Sequence, residues 1–558
     1  MTPGARVQAA IDMLDTLDAS RIPADVAAGD YFRSRRYIGS KDRAALAQLF
    51  YGVLRLRAQL DWWIERLGGG RLNSRSRAIA YLAVGQGWKA EDILEAFDGG
   101  QHRPARLDDS ELNLVRRAVG HKAEHRDQPD WVRFNYPQWL HPALSEFYGR
   151  DLAKVLAGLA VPAPLDLRVN RLRTTRPDAR RMLKDEGVDA RSTRWSPFAL
   201  RVDGRPPLAS LEVFRGGFVE VQDEGSQLAS MLVGARPGMR VVDFCAGAAG
   251  KTLAMAAEME NRGHIVACDI SSSRLKGATP RLRRAGAFNV ELRTLSSERD
   301  KWVKRHQGEF DRVLVDAPCT GSGTWRRNPD AKWTMRRDDI VELKALQLRI
   351  LDSAARLVKP GGRLIYVTCS LLRAENEEQV DSFLASHEGF TVLPLPEVWA
   401  ATIGGAPPPD SGGRYLRLDP ARHETDGFFV AVLQRAGQAT DSAGLRHTPE
   451  ARPVEVQETD GHHPRPAKRV KTQESGGHRP PPAKRVKTQE SGGHRTQPAK
   501  RVKTQESGGH RPLPAKPVRT PESGGHRPLP AKPVRTPESG GHRPQGKRPH
   551  TRRPRGTA

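Results

Sequence analysis

Val241-Val242-Asp243-Phe244-Cys245-Ala246-Gly247-Ala248-Ala249-Gly250-Lys251-Thr252 reads as a buried strand, a turn of small residues and the first turn of a helix. Small side chains let the backbone approach a ligand closely, and a helix start offers free amides. The turn is not G-x-G-x-x-G. Nor is it G-x-x-x-x-G-K-[ST], because Cys245 stands where the first glycine belongs, which disfavours a nucleoside triphosphate despite the Gly250-Lys251-Thr252 ending. Asp269 closes the next strand, 26 residues beyond Asp243. An acid at that place bonds ribose hydroxyls. Cys245, Ala246, Gly247, Ala248, Ala249, Gly250, Lys251 and Asp269 together fit an adenosine cofactor; a packing role for the turn is the alternative.

Outward from this unit the pattern repeats. Strands are expected at 240–244, 264–269, 290–293, 312–316 and 363–367, with helical stretches between them, which makes a doubly wound parallel α/β sheet. An apolar stretch at 427–433 is expected to close the sheet as an edge strand. Two of the later strands run into cysteines 50 residues apart, in Val315-Asp316-Ala317-Pro318-Cys319-Thr320 and Val367-Thr368-Cys369-Ser370. Open α/β sheets place their chemistry beyond the carboxyl ends of their strands. The chain has only four cysteines, Cys245, Cys268, Cys319 and Cys369, and no C-x-x-C pair. That excludes a disulfide framework and suits a reducing compartment. Cys245 and Cys268 lie in apolar strand ends and read as small packed hydrophobes.

At this point the chain resembles the RsmB/Nop/Sun family of RNA cytosine-5 methyltransferases over roughly residues 131–433. The residues that carry the resemblance are Asp316 through Gly323, Arg326-Arg327-Asn328-Pro329-Asp330, Thr368-Cys369-Ser370 and Glu375-Asn376-Glu377. The resemblance implies a Rossmann-like class I methyltransferase sheet, S-adenosyl-L-methionine as cofactor and no metal. It also assigns roles. Cytosine C5 is a poor nucleophile until a thiolate adds to C6, so Cys369 matches the attacking nucleophile, and its thiol needs a cationic or polar neighbourhood. Lys251 matches the family's lysine and would help supply that neighbourhood. Asp316 matches the acid that meets cytosine N3 as well as a cofactor contact. Cys319 matches the residue that releases the adduct, although a Pro-Cys thiol attacks in DNA-type enzymes, which leaves Cys319 as the alternative nucleophile. Two departures stand out. The family's Ala-Pro-Gly-Gly-Lys is Gly247-Ala248-Ala249-Gly250-Lys251 here, and its aspartate after the third strand falls by spacing at Ser296.

Around this core the chain divides by composition. Residues 1–125 read as helical, with Val7, Ala10, Met13, Leu14 and Leu17 on one face and Leu46, Leu49, Phe50, Val53 and Leu54 on another after a Ser40 N-cap. They resemble a NusB-like RNA-binding domain. Between these helices, Arg33-Ser34-Arg35-Arg36-Tyr37-Ile38-Gly39-Ser40-Lys41 suits either RNA contact with base stacking or a solvated loop beside a core tyrosine. Residues 131–222 form a small α+β connecting module, 223–435 the methyltransferase domain and 436–460 a linker. Arg326, Arg327 and Lys332 suit either phosphate positioning or a merely solvated basic loop. Trp62, Trp63, Trp325 and Trp333 suit either base stacking or the core.

The net charge of +26 is concentrated at the end of the chain. Residues 461–558 hold 24 Lys or Arg against 5 Glu, in units of 16 residues that begin at Gly461, Gly477, Gly493, Gly509, Gly525 and Gly541. Each unit has almost nothing to bury and several prolines, so an extended, disordered cationic arm is expected. It suits a phosphate-neutralising RNA tether, a solubilising expansion, or nuclear import through Pro466-Ala467-Lys468-Arg469-Val470-Lys471. No secretory signal or membrane span is visible. The expectation is a soluble, cytoplasmic, monomeric enzyme without a protein partner that methylates cytosine C5 in RNA. Small-subunit ribosomal RNA is the expected substrate, with transfer RNA, or a non-catalytic assembly factor on the same fold, as the alternatives.

Overall fold

The computed structural model describes residues 1–437 apart from Arg21 and Asp410. The repeat and most of the linker lie outside the described residues. The chain opens with helices. α1 (Pro3–Ser20), α2 (Ala24–Ser34) and α3 (Ser40–Leu67) pack with shorter helices around one apolar cluster. Val7, Ala10, Met13, Leu14 and Leu17 of α1 meet Leu46, Leu49, Phe50, Val53 and Leu54 of α3 there, as their helical spacing predicts. Ser40 is not the cap: α3 begins at Ser40 itself, after an extended Gly39 with no side-chain cap. The α3 helix ends on Gly68 in the left-handed region, where the absence of a Cβ removes the steric cost.

Next comes a four-stranded sheet of β1 (Leu165–Val169), β2 (Ala190–Ser192), β3 (Ala199–Val202) and β4 (Val219–Val221), ordered β2-β3-β1-β4, with its pairings antiparallel. The larger sheet follows, from β5 (Arg240–Asp243), β6 (His264–Asp269), β7 (Val290–Thr294), β8 (Phe310–Asp316), β9 (Val358–Thr368), β10 (Phe390–Val392), β11 (Leu416–Leu418) and β12 (Phe428–Arg435). Its order is β10-β12-β9-β8-β5-β6-β7, with β11 paired to β12. The strands β7, β6, β5, β8 and β9 run parallel. Consecutive residues of β5 face opposite layers, Val241 into one apolar cluster and Val242 into the other, which is why the strand reads as an unbroken apolar run.

One expectation about the sheet is corrected. The 427–433 stretch is not an edge strand: β12 lies antiparallel between β9 and β10. Residues Phe428 to Leu433 are all buried, so burial on both faces, rather than an edge position, accounts for their apolar composition. The start of β12 also needs glycine. Gly427 donates to the Gly323 carbonyl at 2.9 Å, and a Cβ on Gly323 would lie 2.7 Å from the Gly427 Cα.

Candidate active site

The topology explains how two cysteines 50 residues apart meet. Strands β8 and β9 are parallel neighbours with Asp316 opposite Val367, so the loops that leave their carboxyl ends run side by side. Strand β5 flanks β8 on the other side, which brings the small-residue turn to the same edge. Chain order reverses between β5 and β8, the crevice where such sheets bind ligands.

At that edge Cys319 Sγ and Cys369 Sγ are 3.5 Å apart, and both residues are half-buried. The hydrogen bond to Cys369 and burial push the Cys319 thiol well above its ordinary range. Lys251, in the first turn of the helix Gly250–Glu258, donates to Asp316 Oδ2 at 2.6 Å. Burial opposes the Lys251 charge, but the attraction of Asp316, its hydrogen bond and the neighbouring Cys369 outweigh it and raise the pKa. The Lys251 ammonium also lies 5.4 Å from the centre of the Phe428 ring. Asp316 is the more open member of the pair, with its side chain 34% exposed against 10% for Lys251. Asp316, Cys319, Cys369 and Lys251 therefore form one cluster.

The cofactor-side residues form a second cluster at the same edge. Asp269 accepts from the Gly247 amide at 2.8 Å and the Ser271 amide at 2.7 Å, and the Ala246 amide donates to the Cys268 carbonyl at 2.8 Å. Gly247 (φ 55°) and Ala249 (φ 62°) are both left-handed. Ala249 stands where the family motif has glycine, so the turn keeps its path at the steric cost of a Cβ, of order 1–2 kcal/mol. Cys268 is buried and packs in the apolar layer, with its thiol pushed up by burial. Cys245 packs beside it and is likewise pushed up by burial. Ser296 lies just beyond β7, next to Leu295, whose amide donates to the Asp269 carbonyl at 3.0 Å. Its amide and hydroxyl both donate to Asp300 Oδ2, at 2.8 and 2.7 Å, which commits them to the following turn.

The residues whose roles the sequence left unread surround the thiols. Glu375 is fully buried and accepts from Thr320 and Ser370, the neighbours of Cys319 and Cys369. Asn376 donates to the Ser370 carbonyl at 2.9 Å, and the Ser322 hydroxyl accepts from the Leu371 amide at 2.8 Å. Glu375-Asn376-Glu377 is visible as a motif, but nothing in its spacing tells which loops it touches.

The expectation for Arg326, Arg327 and Lys332 is corrected. Arg326 bonds Asp426 at 2.5 Å and Asp223 at 3.3 Å, and Arg327 bonds the same two carboxylates. Both guanidiniums are spent on a buried ion-pair network rather than on phosphate. Lys332 is buried beside Trp333 and Arg55, and burial with the Arg55 charge lowers its pKa to about 7. This segment docks on the helical region: Trp333 Nε1 donates to the Leu54 carbonyl at 2.9 Å, and Arg55 to the Arg326 carbonyl at 3.0 Å. Trp63 and Trp325 are core residues. Tyr37, by contrast, stands free of the core.

An adenosine-type ligand can be tested against these residues. Asp243 Oδ2 accepts from Thr252 at 2.6 Å, but its Oδ1 is buried without a hydrogen-bond partner, and burial raises the carboxyl to about 7. An orphaned acceptor beneath a glycine-bearing turn and a helix start suits a ligand that brings donors. The residues fit. A parallel sheet with such a turn after β5, an acid at the end of β6 and reactive side chains at the ends of β8 and β9 defines a class I methyltransferase.

Comparison with known proteins narrows the class. The family model described as 16S rRNA methyltransferase RsmB/F matches residues 230–434, and the ferredoxin-like domain of RsmF/B-like methyltransferases matches 136–209. The ribosomal RNA small subunit methyltransferase B of Salmonella paratyphi B is 31% identical over 407 residues, 71% of this chain and 91% of that protein. Its counterpart in Serratia proteamaculans is 30% identical over 410 residues, 72% of this chain and 92% of that one. The crystal structure of PH0851 superposes with a TM-score of 0.62 at 26% identity, covering 78% of this chain and 99% of that one. The chain belongs to the RsmB/F methyltransferase family. Its methyl donor is S-adenosyl-L-methionine. Among the described residues no helix is long and apolar enough to cross a membrane.

Proposed function

We propose that the protein methylates C5 of a cytosine in RNA, with small-subunit ribosomal RNA as substrate, through a covalent bond from Cys369 to C6. The observation that carries this is the paired thiols, 3.5 Å apart and beside the Lys251–Asp316 ion pair. A pure RNA binder needs neither thiol. The names of the curated relatives supply the ribosomal substrate.

S-adenosyl-L-methionine, when bound, supplies an electrophilic methyl on a sulfonium; Asp269, the Cys245–Gly250 turn and the open oxygen of Asp243 would hold it. The protein's own residues do the rest. Lys251 places a positive charge beside the Cys369 sulfur, the cationic neighbourhood that a cysteine nucleophile needs. Sulfur adds to C6, the C5–C6 double bond moves, and electron density gathers at C5 and towards N3. Asp316 is paired with Lys251 and open on its other side, so the proton shared between the ammonium and the carboxyl can pass through Asp316 to N3 as electron density gathers there. Cys319 lies 3.5 Å from Cys369, within reach of the adduct that Cys369 would form. After C5 is methylated its remaining proton passes to water, the C5–H electron pair re-forms the C5–C6 double bond, and the C6–sulfur bond breaks with its pair leaving on the Cys369 sulfur. Cys319 assists this release. The exposed Tyr37 with Arg35 and Arg36 offers a stacking and phosphate surface on the helical region.

The test uses methyl-labelled S-adenosyl-L-methionine with unmodified small-subunit RNA, bulk transfer RNA and the full chain, followed by nucleoside analysis. Label in 5-methylcytosine of the ribosomal RNA is expected. Label confined to transfer RNA moves the substrate, and no 5-methylcytosine in either overturns the enzyme reading in favour of a binder.

A further inference from the structure

Glu375 is buried at 0% exposure, carries no ion pair among the described residues, and lies on neither strand that delivers a thiol. Yet its carboxylate joins both thiol loops. Oε1 accepts from the Thr320 amide at 2.9 Å and from Gln347 Nε2 at 3.0 Å. Oε2 accepts from the Thr320 hydroxyl at 2.5 Å and the Ser370 hydroxyl at 2.5 Å. Gln347 also donates to the Pro318 carbonyl at 2.9 Å, on the other side of Cys319. Glu375 is itself fixed through its main chain, since its carbonyl accepts from the buried Tyr366 hydroxyl at 2.7 Å.

We infer that Glu375 is a positioning residue that sets the spacing of the two thiols, a role that rests on the two-cysteine chemistry proposed above. The physical case is one of acceptor count and reach. Two carboxylate oxygens can take about four hydrogen bonds, and four donors from two loops and one helix converge here. Thr320 and Ser370 each adjoin a cysteine, so losing the shared acceptor frees both loops while β8 and β9 stay paired. Serine and threonine hydroxyls can rotate to accept, so a glutamine amide fits: oxygen towards the Thr320 amide, nitrogen towards the hydroxyls. Aspartate is one methylene shorter and cannot span both loops. Geometry, not charge, is the property the site needs. A displacement of about 1 Å between reacting groups costs roughly 10²-fold in rate.

The readout needs neither RNA nor cofactor. Diamide takes two electrons and two protons from a pair of neighbouring thiols, leaving a disulfide and the reduced hydrazine. With the full chain, wild type and Glu375→Gln should form the Cys319–Cys369 bridge at similar rates, followed by mass spectrometry. Glu375→Ala and Glu375→Asp should form it at least about tenfold more slowly. In single-turnover methylation the last two should lose about 100-fold with cofactor Kd unchanged. Bridging in Glu375→Ala as fast as wild type overturns the proposal, as does retention by Asp with loss by Gln. If Glu375→Ala does not fold, Ser370→Ala cuts one tie and should slow bridging; an unchanged rate counts equally against the clamp. Absence of methylation by wild type would remove the proposed function and leave the bridging result standing.

Discussion

The 33–41 segment, which turns from α2 into α3, and the 325–333 segment share a composition, arginines beside aromatics, yet Tyr37 is 79% exposed while Arg326 is 3% exposed. The difference lies in what the fold brings to them. Asp223 and Asp426, about 100 residues away on either side, close on Arg326 and Arg327 and take up their charge. Among the described residues no comparable carboxylates close on the tip of the turn between α2 and α3: Arg35 stacks on Tyr31 at 3.9 Å, and Arg33 pairs with Asp30 one turn earlier. Local composition thus proposes a nucleic-acid surface, and only the long-range partners decide whether one exists.

The largest effect is expected at Arg326. Arg326→Ala leaves the buried Asp426 and Asp223 with one arginine, Arg327, in place of two, and should destabilise the protein by about 3–5 kcal/mol in urea unfolding. A loss below about 1 kcal/mol would place the guanidinium on the surface instead. A smaller effect is expected at Lys332. Its folded pKa of about 7 lies below the unfolded value of 10.5, so the unfolded chain binds more protons between those values. Stability from this group is therefore present above pH 10.5 and lost as pH falls through 7. Lys332→Met should stabilise at pH 7.5 by about 2 kcal/mol and flatten the rise in unfolding midpoint towards pH 10. An unchanged slope contradicts the burial argument. The smallest change belongs to the exposed loop. Tyr37→Ala should leave stability within about 0.5 kcal/mol and weaken RNA binding by about 1–3 kcal/mol in filter binding. Unchanged affinity makes the loop merely solvated.

The same contrast governs what the sequence disclosed. Strand positions β5 to β9, the α1 and α3 faces and the nearness of Asp316, Cys319 and Cys369 were legible because each rests on local periodicity or on a strand end, whereas Lys251 was joined to them by the family resemblance. The place of β12 was not, since a two-sided apolar run looks alike inside or at the edge of a sheet. Glu375 escaped because its partners, Thr320 and Ser370, adjoin the two thiols that only the β8–β9 pairing unites. Ser296 was found by spacing, but spacing could not tell that its donors are committed to Asp300.

The division of labour between the thiols is open to covalent trapping. Cys319→Ala and Cys369→Ala proteins, incubated with small-subunit RNA and S-adenosyl-L-methionine, are run on denaturing gels with labelled RNA. Cys319→Ala should accumulate a protein–RNA adduct that survives denaturation, and Cys369→Ala should form none. An adduct with Cys369→Ala and none with Cys319→Ala would contradict the account and make Cys319 the nucleophile.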